Sequence, residues 1–243
     1  MQRLDQAIVA RGLAPTRARA RDFILRGLVR VGGTVVTKPG HDVRDGAALE
    51  LAAEAKAFVS RGAEKLVAAL DHFGFDPAGR VALDVGASTG GFTEVLLARG
   101  ARRVWAIDVG HGQLHPALAD DPRVVHRDGT DARILTADLV TDPIAAIVAD
   151  VSFISLIKTL PAALRLAAPG AWLVALVKPQ FEVGRGNVGK GGIVRDAALR
   201  EKAVADVARW LSAEPGWHVL GHIRSPILGG SGNEEVLLGA RHD

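Results

Sequence analysis

Cysteine is absent from the 243 residues, which removes disulfides, thiolate metal ligands and thiol nucleophiles from consideration and gives no sign of an oxidising compartment. Tyrosine is absent as well. No apolar run approaches the roughly 20 residues of a membrane helix; the longest, around 144–148 and 172–177, have the length of strands. Met1 leads straight into Gln2-Arg3-Leu4-Asp5, without the cationic start, apolar core and small-residue cleavage site of an export signal. A cytoplasmic location with no membrane partner is the expectation. His111, His115, His126, His218 and His222 have no partners at metal-ligand spacing, so no metal is expected.

What remains is ordinary globular material, 48% hydrophobic and 23% charged, long enough for one large α/β domain and a small module. Charge divides the chain unevenly. Residues 1–58 carry ten Lys and Arg against six Asp and Glu, whereas the remainder carries 20 against 21. A basic segment on a near-neutral body suits a polyanion grip beside a separate working site, because phosphate neutralisation drives nucleic-acid affinity.

Leu4 and Ile8 stand at helical spacing, and Gly12 ends that pattern. Pro15-Thr16 opens a second helix with Thr16 as N-cap, Ala20, Phe23 and Ile24 on its buried side and Gly27 as its stop. Arg17 and Arg21, four apart, share a face. Gly32-Gly33 between two short β-like runs predicts a hairpin, Lys38-Pro39-Gly40 a turn, and Leu49-Glu50-Leu51 a third strand. Arginines on a helix face serve equally as solvation or as phosphate contacts. The capped arginine-bearing helix, the hairpin G-L-V-R-V-G-G-T-V-V and the K-P-G turn resemble the S4 RNA-binding domain over nearly the whole segment. The resemblance implies RNA contacts from Arg17 and Arg21, joined by Arg3 and Lys38.

Ala52-Ala53-Glu54-Ala55-Lys56 offers no large apolar side chain to a core, and a new helical pattern starts at Ser60. The expected boundary therefore separates 1–58 from 59–243. From Arg80 onward, strand-like runs at 81–85, 104–107, 144–149 and 172–177 alternate with helical runs at 92–98 and 156–168. That alternation predicts a parallel, doubly wound sheet. A last helix over 196–211 precedes two β-like runs, 217–223 and 235–238, close enough for an antiparallel pair.

Asp84-Val85-Gly86-Ala87-Ser88-Thr89-Gly90-Gly91-Phe92 follows the first strand of that sheet and opens a helix, where glycines permit a tight turn and close approach to a ligand. Its G-x-x-x-G-G spacing departs from the dinucleotide fingerprint G-x-G-x-x-G. Asp108 ends the next strand, where a carboxylate can accept from both hydroxyls of a ribose. The stretch D-x-G-A-x-x-G-G-F resembles the FtsJ-like ribose methyltransferases, and with the S4-like segment in front the chain resembles the TlyA family. That family carries an older haemolysin naming and is known as ribosomal RNA cytidine 2′-O-methyltransferases. The resemblance implies an α/β fold of two parts: a small α+β S4-like domain, then a class I Rossmann-like methyltransferase sheet closed by a terminal antiparallel hairpin. It implies S-adenosylmethionine as cofactor, held by Gly86, Ala87, Ser88, Thr89, Gly90, Gly91, Phe92 and Asp108. Asp131 matches the position that reads the adenine amino group, although TlyA-like chains more often carry Asn there, preceded by Arg-Thr.

Methyl transfer to a ribose hydroxyl needs in-line positioning and a route for a proton whose pKa is far above neutral. The family resemblance implies a Lys-Asp-Lys-Glu tetrad, matched by Lys65 in A-E-K-L, Asp150 in A-D-V-S-F, Lys178 in V-K-P-Q-F-E and Glu235 in G-N-E-E. On this reading Lys178, flanked by Asp150 and Glu235, orients and deprotonates the hydroxyl, while Lys65 steers the nucleotide. A base role requires burial or a neighbouring cation to favour the neutral amine, and flanking carboxylates act the other way. Glu234 stands beside the motif glutamate and competes with it in sequence. Phe153 either stacks on a base or packs beneath the site. The glycine-rich segment 182–193, with Arg185 and Lys190, either closes over RNA or is a solvated connector. Ribosomal RNA in one or both ribosomal subunits is the implied partner. A noncatalytic RNA-binding or ribosome-assembly factor is the alternative from another class. A membrane-lytic haemolysin is a further one, for which the sequence shows no amphipathic or spanning segment with a long apolar face.

Overall fold

In the computed structural model, which describes residues 1–14, 16–52 and 58–243, the chain forms two units, Met1–Phe58 and Val59–Asp243. Pro15 and most of the expected junction, Ala53, Glu54, Ala55 and Lys56, lie outside the described residues, as does the side chain of Arg185.

In the first unit, strand β1 (Gln2–Arg3) leads into helix α1 (Leu4–Ala10), whose Leu4, Ala7 and Ile8 share a core with Ala20, Phe23 and Ile24 of α2 (Arg17–Leu25). Thr16 caps α2 by accepting the Arg19 N–H at 3.2 Å. Strands β2 (Val29–Val31) and β3 (Thr34–Val35) pair across Gly32-Gly33. The φ values of 56° and 81° there match the primed turn that a two-residue hairpin favours. Strand β4 (Asp42–Val43) pairs with β1, and β5 (Leu49–Leu51) covers the other side of β2.

One buried carboxylate organises the basic face of this unit. Asp5 is fully buried, and its oxygens accept from Arg3 Nε at 3.1 Å and Arg17 Nε at 2.9 Å. Burial pushes the Asp5 carboxyl up, but the hydrogen bonds and charges of both guanidiniums outweigh this and hold it below the usual carboxylate range. Arg3 and Arg17 are therefore tethered side by side, each about half exposed, while Arg21 and Lys38 stand in solvent. A depressed folded-state value means that Asp5 contributes stability above the unfolded-state value and loses it as pH falls through the folded one. Thermal unfolding of wild type and Asp5→Asn is thus expected to differ by about 1.5–3 kcal/mol at pH 7, as for a hydrogen-bonded charge. The gap starts to narrow as pH falls below about 4 and closes as pH passes the lower folded-state value; a gap unchanged at pH 3 would exclude an ionised Asp5 as its source.

The second unit opens with α3 (Gly62–Phe73) and continues through β6 (Val81–Val85), α4 (Gly91–Ala98), β7 (Arg103–Ile107), α5 (Pro116–Ala119), β8 (Val124–Arg127) and β9 (Ile144–Ala149). It ends with α6 (Leu156–Thr159), α7 (Pro161–Leu164), β10 (Ala167–Val177), α8 (Pro179–Glu182), α9 (Ala197–Ala213), β11 (Trp217–Arg224) and β12 (Val236–His242). The sheet order is β11-β12-β10-β9-β6-β7-β8. Strands β6 to β10 run parallel, β12 lies antiparallel to β10, and β11 pairs antiparallel with β12. Central strands are apolar on both faces, with Leu83, Ile147, Leu173 and Val177 wholly buried, as a sheet covered by helices requires. The helix expected over 156–168 is instead two four-residue helices: Pro161 has no N–H to donate within a continuous helix, and the chain is already extended in β10 at Ala167.

Candidate active site

In an open parallel sheet, ligands bind beyond the carboxyl ends of the strands where successive connections leave in opposite directions. β6 lies between β9 and β7, so that crevice opens beyond Val85, Ile107 and Ala149. Backbone bonds draw these ends together: the Gly86 N–H donates to Ile107 O at 2.9 Å and the Asp150 N–H to Val85 O at 3.0 Å. Gly86 has φ 83°, and a Cβ there would stand 2.7 Å from the Asp150 carbonyl oxygen. Only glycine admits that approach. Beneath the loop, Asp84 accepts from Thr93 Oγ1 at 2.7 Å, and burial pushes its carboxyl up to about 7.

The crevice holds a cavity of about 550 Å³ with Gly86, Ser88, Asp108, Asp131, Val151 and Phe153 in its walls, a size suited to a small-molecule cofactor. Asp108 is held by two backbone donors, the Ser88 N–H at 2.8 Å and the Gly110 N–H at 2.7 Å, one on each oxygen. Each oxygen keeps a second lone pair, so the carboxylate can accept from two neighbouring hydroxyls. An adenosyl ribose fits this donor-free, preoriented group. Ala87, Thr89, Gly91 and Phe92 line an adjoining cavity of about 270 Å³ with Lys65, Asp150 and Lys178, while Gly90 packs toward Leu114 and Leu118. Asp131 lies in the wall of the larger cavity, but its carboxylate is taken up by Arg133: Nε at 3.0 and 2.9 Å, Nη2 at 2.5 Å and the backbone N–H at 2.9 Å. The guanidinium and then the backbone bond hold Asp131 below the usual carboxylate range. The departure from asparagine thus comes with a cation two residues on.

The four expected tetrad residues arrive from four segments and form two pairs. Lys178 follows β10 and Glu235 precedes β12; the antiparallel register sets Val177 opposite Val236 and brings both to one edge. Lys65, in the first turns of α3, donates to Glu235 Oε2 at 2.5 Å, with side chains only 8% and 3% exposed. Lys178 Nζ lies 2.6 Å from Asp150 Oδ1. Glu235 is thus the partner of Lys65, while it shares with Lys178 the wall of a third cavity of about 300 Å³. Glu234 faces Arg200 at 3.5 Å and is half exposed, so the buried position belongs to Glu235.

Sequence reasoning passed over several residues that hold this arrangement. Asn233 accepts from the Val194 N–H at 3.0 Å and donates to Gly192 O at 2.8 Å, tying the end of the glycine-rich segment to the start of β12. Its signal was the G-N of G-N-E-E. Lys190, in the same segment, is exposed. Glu182 accepts from Ser155 Oγ at 2.5 Å and the Leu156 N–H at 2.9 Å, and burial raises its carboxyl against the pull of those bonds. It fastens the segment after Asp150 to the segment after Lys178. Phe153, between them, is 91% exposed at φ 67° beside Phe181, ring centroids 5.2 Å apart. It does not pack beneath the site.

Residues 58–242 match the FtsJ-like methyltransferase family and residues 2–49 the S4 domain. The chain is 50% identical over 240 residues to the 16S/23S rRNA (cytidine-2′-O)-methyltransferase TlyA of Mycobacterium tuberculosis, covering 98% of this chain and 89% of that protein. It is 41% identical to Hemolysin A of Brachyspira hyodysenteriae, over 97% and 98% of the two chains. A solved hemolysin-named structure from Streptococcus thermophilus superposes with a TM-score of 0.76 at 39% identity, over 99% of this chain and 88% of that one. Among the described residues no helix is long and apolar enough to cross a membrane. With both domains matched in order and the relatives aligned over nearly their whole length, the chain belongs to the TlyA family of S4-containing, FtsJ-like methyltransferases.

Proposed function

We propose that the chain is an S-adenosylmethionine-dependent 2′-O-methyltransferase acting on the ribose of a cytidine in ribosomal RNA, either 16S alone or 16S and 23S both. The observation that carries this reading is the meeting of two lysine–carboxylate pairs beside a cofactor-sized cavity: Asp150 lines that cavity and also the one that holds Lys65 and Lys178. The nucleotide and RNA are read from the names of relatives that share both domains. When bound, S-adenosylmethionine supplies a methyl carbon whose bond to sulfur breaks with both electrons left on sulfur.

The chain's own residues do the rest. Asp108 orients the cofactor ribose. Lys178, as the amine, accepts the proton of the 2′-hydroxyl while the oxygen bonds the methyl carbon; Asp150 stabilises the ammonium that results. The Lys65–Glu235 pair presents a fixed, dry dipole at the other side of the nucleotide, where it stabilises charge without reorganising. Arg3, Arg17, Arg21 and Lys38 of the S4 unit, with Lys190, contact RNA phosphates, which fix position and carry no base information.

The test is transfer of labelled methyl from S-adenosylmethionine to ribosomal subunits that lack the modification, followed by nucleoside digestion. Label in 2′-O-methylcytidine supports the reading. No transfer to either subunit or to free rRNA, with S-adenosylhomocysteine binding intact, would return the chain to the noncatalytic RNA-binding class.

Phe153 gives a separable prediction. A non-glycine residue at positive φ costs about 1–3 kcal/mol, and here it holds an aromatic ring in water between the cofactor cavity and the one lined by Gly230 and Ser231. Stacking of a flipped base would offset both costs. Phe153→Ala is expected to leave S-adenosylhomocysteine affinity and folding intact while weakening productive RNA binding by about 1–3 kcal/mol, the worth of one base–aromatic stack. Unchanged RNA kinetics would remove the stacking role.

A further inference from the structure

Lys178 Nζ lies between two oxygens that act on it differently. Asp150 Oδ1 is 2.6 Å away, yet that oxygen is buried and receives no aligned hydrogen bond, so the contact is one of charge. The aligned bond from Nζ goes to Ser152 Oγ at 2.8 Å. Ser152 follows Asp150 by two residues and precedes the strained Phe153. Among the described residues it is the one common to the walls of the cofactor-sized cavity, the cavity holding Lys65 and the cavity bounded by Gly230 and Ser231. Its position thus joins the cavity around Asp108, the cavity holding Lys65 and the side chain of Lys178.

We propose that Ser152 is a positioning residue for methyl transfer, aiming Lys178 Nζ so that its free valence faces the substrate hydroxyl. The inference rests on the methyltransferase reading and deepens it. A primary amine has one bond to carbon and three further directions. One is set by the hydrogen bond to Ser152. A second faces Asp150, and because an ionised carboxylate has no proton to give, that side is filled by N–H. In the neutral amine the lone pair is then left in the third direction, which is where a hydroxyl proton can be received. Ser152 accepts from Lys178 with one lone pair and keeps its own O–H, which can donate to an oxygen of the incoming nucleotide. Asp150 supplies the charge and occupies one side of Nζ, and Ser152 supplies the aligned hydrogen bond.

The test is single-turnover methyl transfer to ribosomal RNA by wild type, Ser152→Ala and Ser152→Thr, with S-adenosylhomocysteine and RNA affinities measured on the same preparations. Ser152→Ala is expected to slow the chemical step about ten- to a hundredfold, the kinetic equivalent of losing a hydrogen bond to a charged group, with both affinities unchanged. Ser152→Thr, which keeps a hydroxyl on the same carbon, regains most of the rate. A Ser152→Ala variant as fast as an active wild type, one that loses affinity in proportion to rate, or a Ser152→Thr variant no faster than Ser152→Ala overturns the positioning role alone. A wild type that transfers no methyl to any RNA overturns the reading beneath it and this inference with it.

Discussion

Lys178→Ala is expected to lower the rate of methyl transfer by about 10²- to 10⁴-fold, the range that a positioned proton acceptor contributes, without changing S-adenosylhomocysteine affinity. The two readouts separate because of where the side chain lies. Lys178 leaves the end of β10 and meets Asp150 and Ser152, and it lines the cavity that holds Lys65 and not the larger one around Asp108. Asp108→Ala should do the reverse first, weakening cofactor binding, since its oxygens are the ones fixed by Ser88 and Gly110 for a ribose. Lys178→Arg decides how the lysine acts. A guanidinium keeps the positive charge but does not take up a further proton. If Lys178 is the acceptor, Arg restores little. A Lys178→Arg variant near wild-type rate would instead assign it a purely electrostatic role, and a Lys178→Ala variant that loses cofactor affinity in step with rate would make it a binding residue.

The sequence pattern announced the elements around this site because they are the most regular. Buried β6, apolar but for Asp84, fully apolar β9, the loop from Gly86 to Gly91 and the capped α9 all have local causes, and the structure places Asp150 and Lys178 directly after parallel strands as their motifs suggested. Tertiary contacts were harder to read. That Glu235 answers Lys65 depends on a β10–β12 register and on α3 reaching β12, across a separation of 170 residues. Asp5 looked like one more acid in a basic segment, and only the packing of α1 against α2 buries it between Arg3 and Arg17. Asp131 and Arg133 were visible as T-D-A-R, but a pair two residues apart meets only because Asp131 caps the short turn Ala132–Ile134. Strands β1 and β4, two residues each, are too short to show a period.

Breaking the Lys65–Glu235 pair is expected to destabilise the methyltransferase unit by about 3–5 kcal/mol for either Lys65→Met or Glu235→Met alone, because each leaves a buried charge without its partner. Both side chains are almost wholly removed from water, so the abandoned group has little solvent to turn to. A buried ion pair gains less from its attraction than it loses on leaving water, and well-packed apolar side chains of similar size replace such pairs with little loss or some gain. The Lys65→Met/Glu235→Met double variant should therefore recover most of the stability that each single change removes. Hydrogen exchange of the β10 and β12 amides reports this for the unit itself, since local protection there tracks its opening free energy. Methyl transfer separates the structural from the chemical contribution: the recovered double variant has a dry, apolar wall where the wild type holds a fixed dipole, and it should remain inactive. A double variant as unstable as the singles would mean that packing cannot substitute for the pair, and one that transfers methyl at the wild-type rate would confine Lys65 and Glu235 to holding α3 against β12.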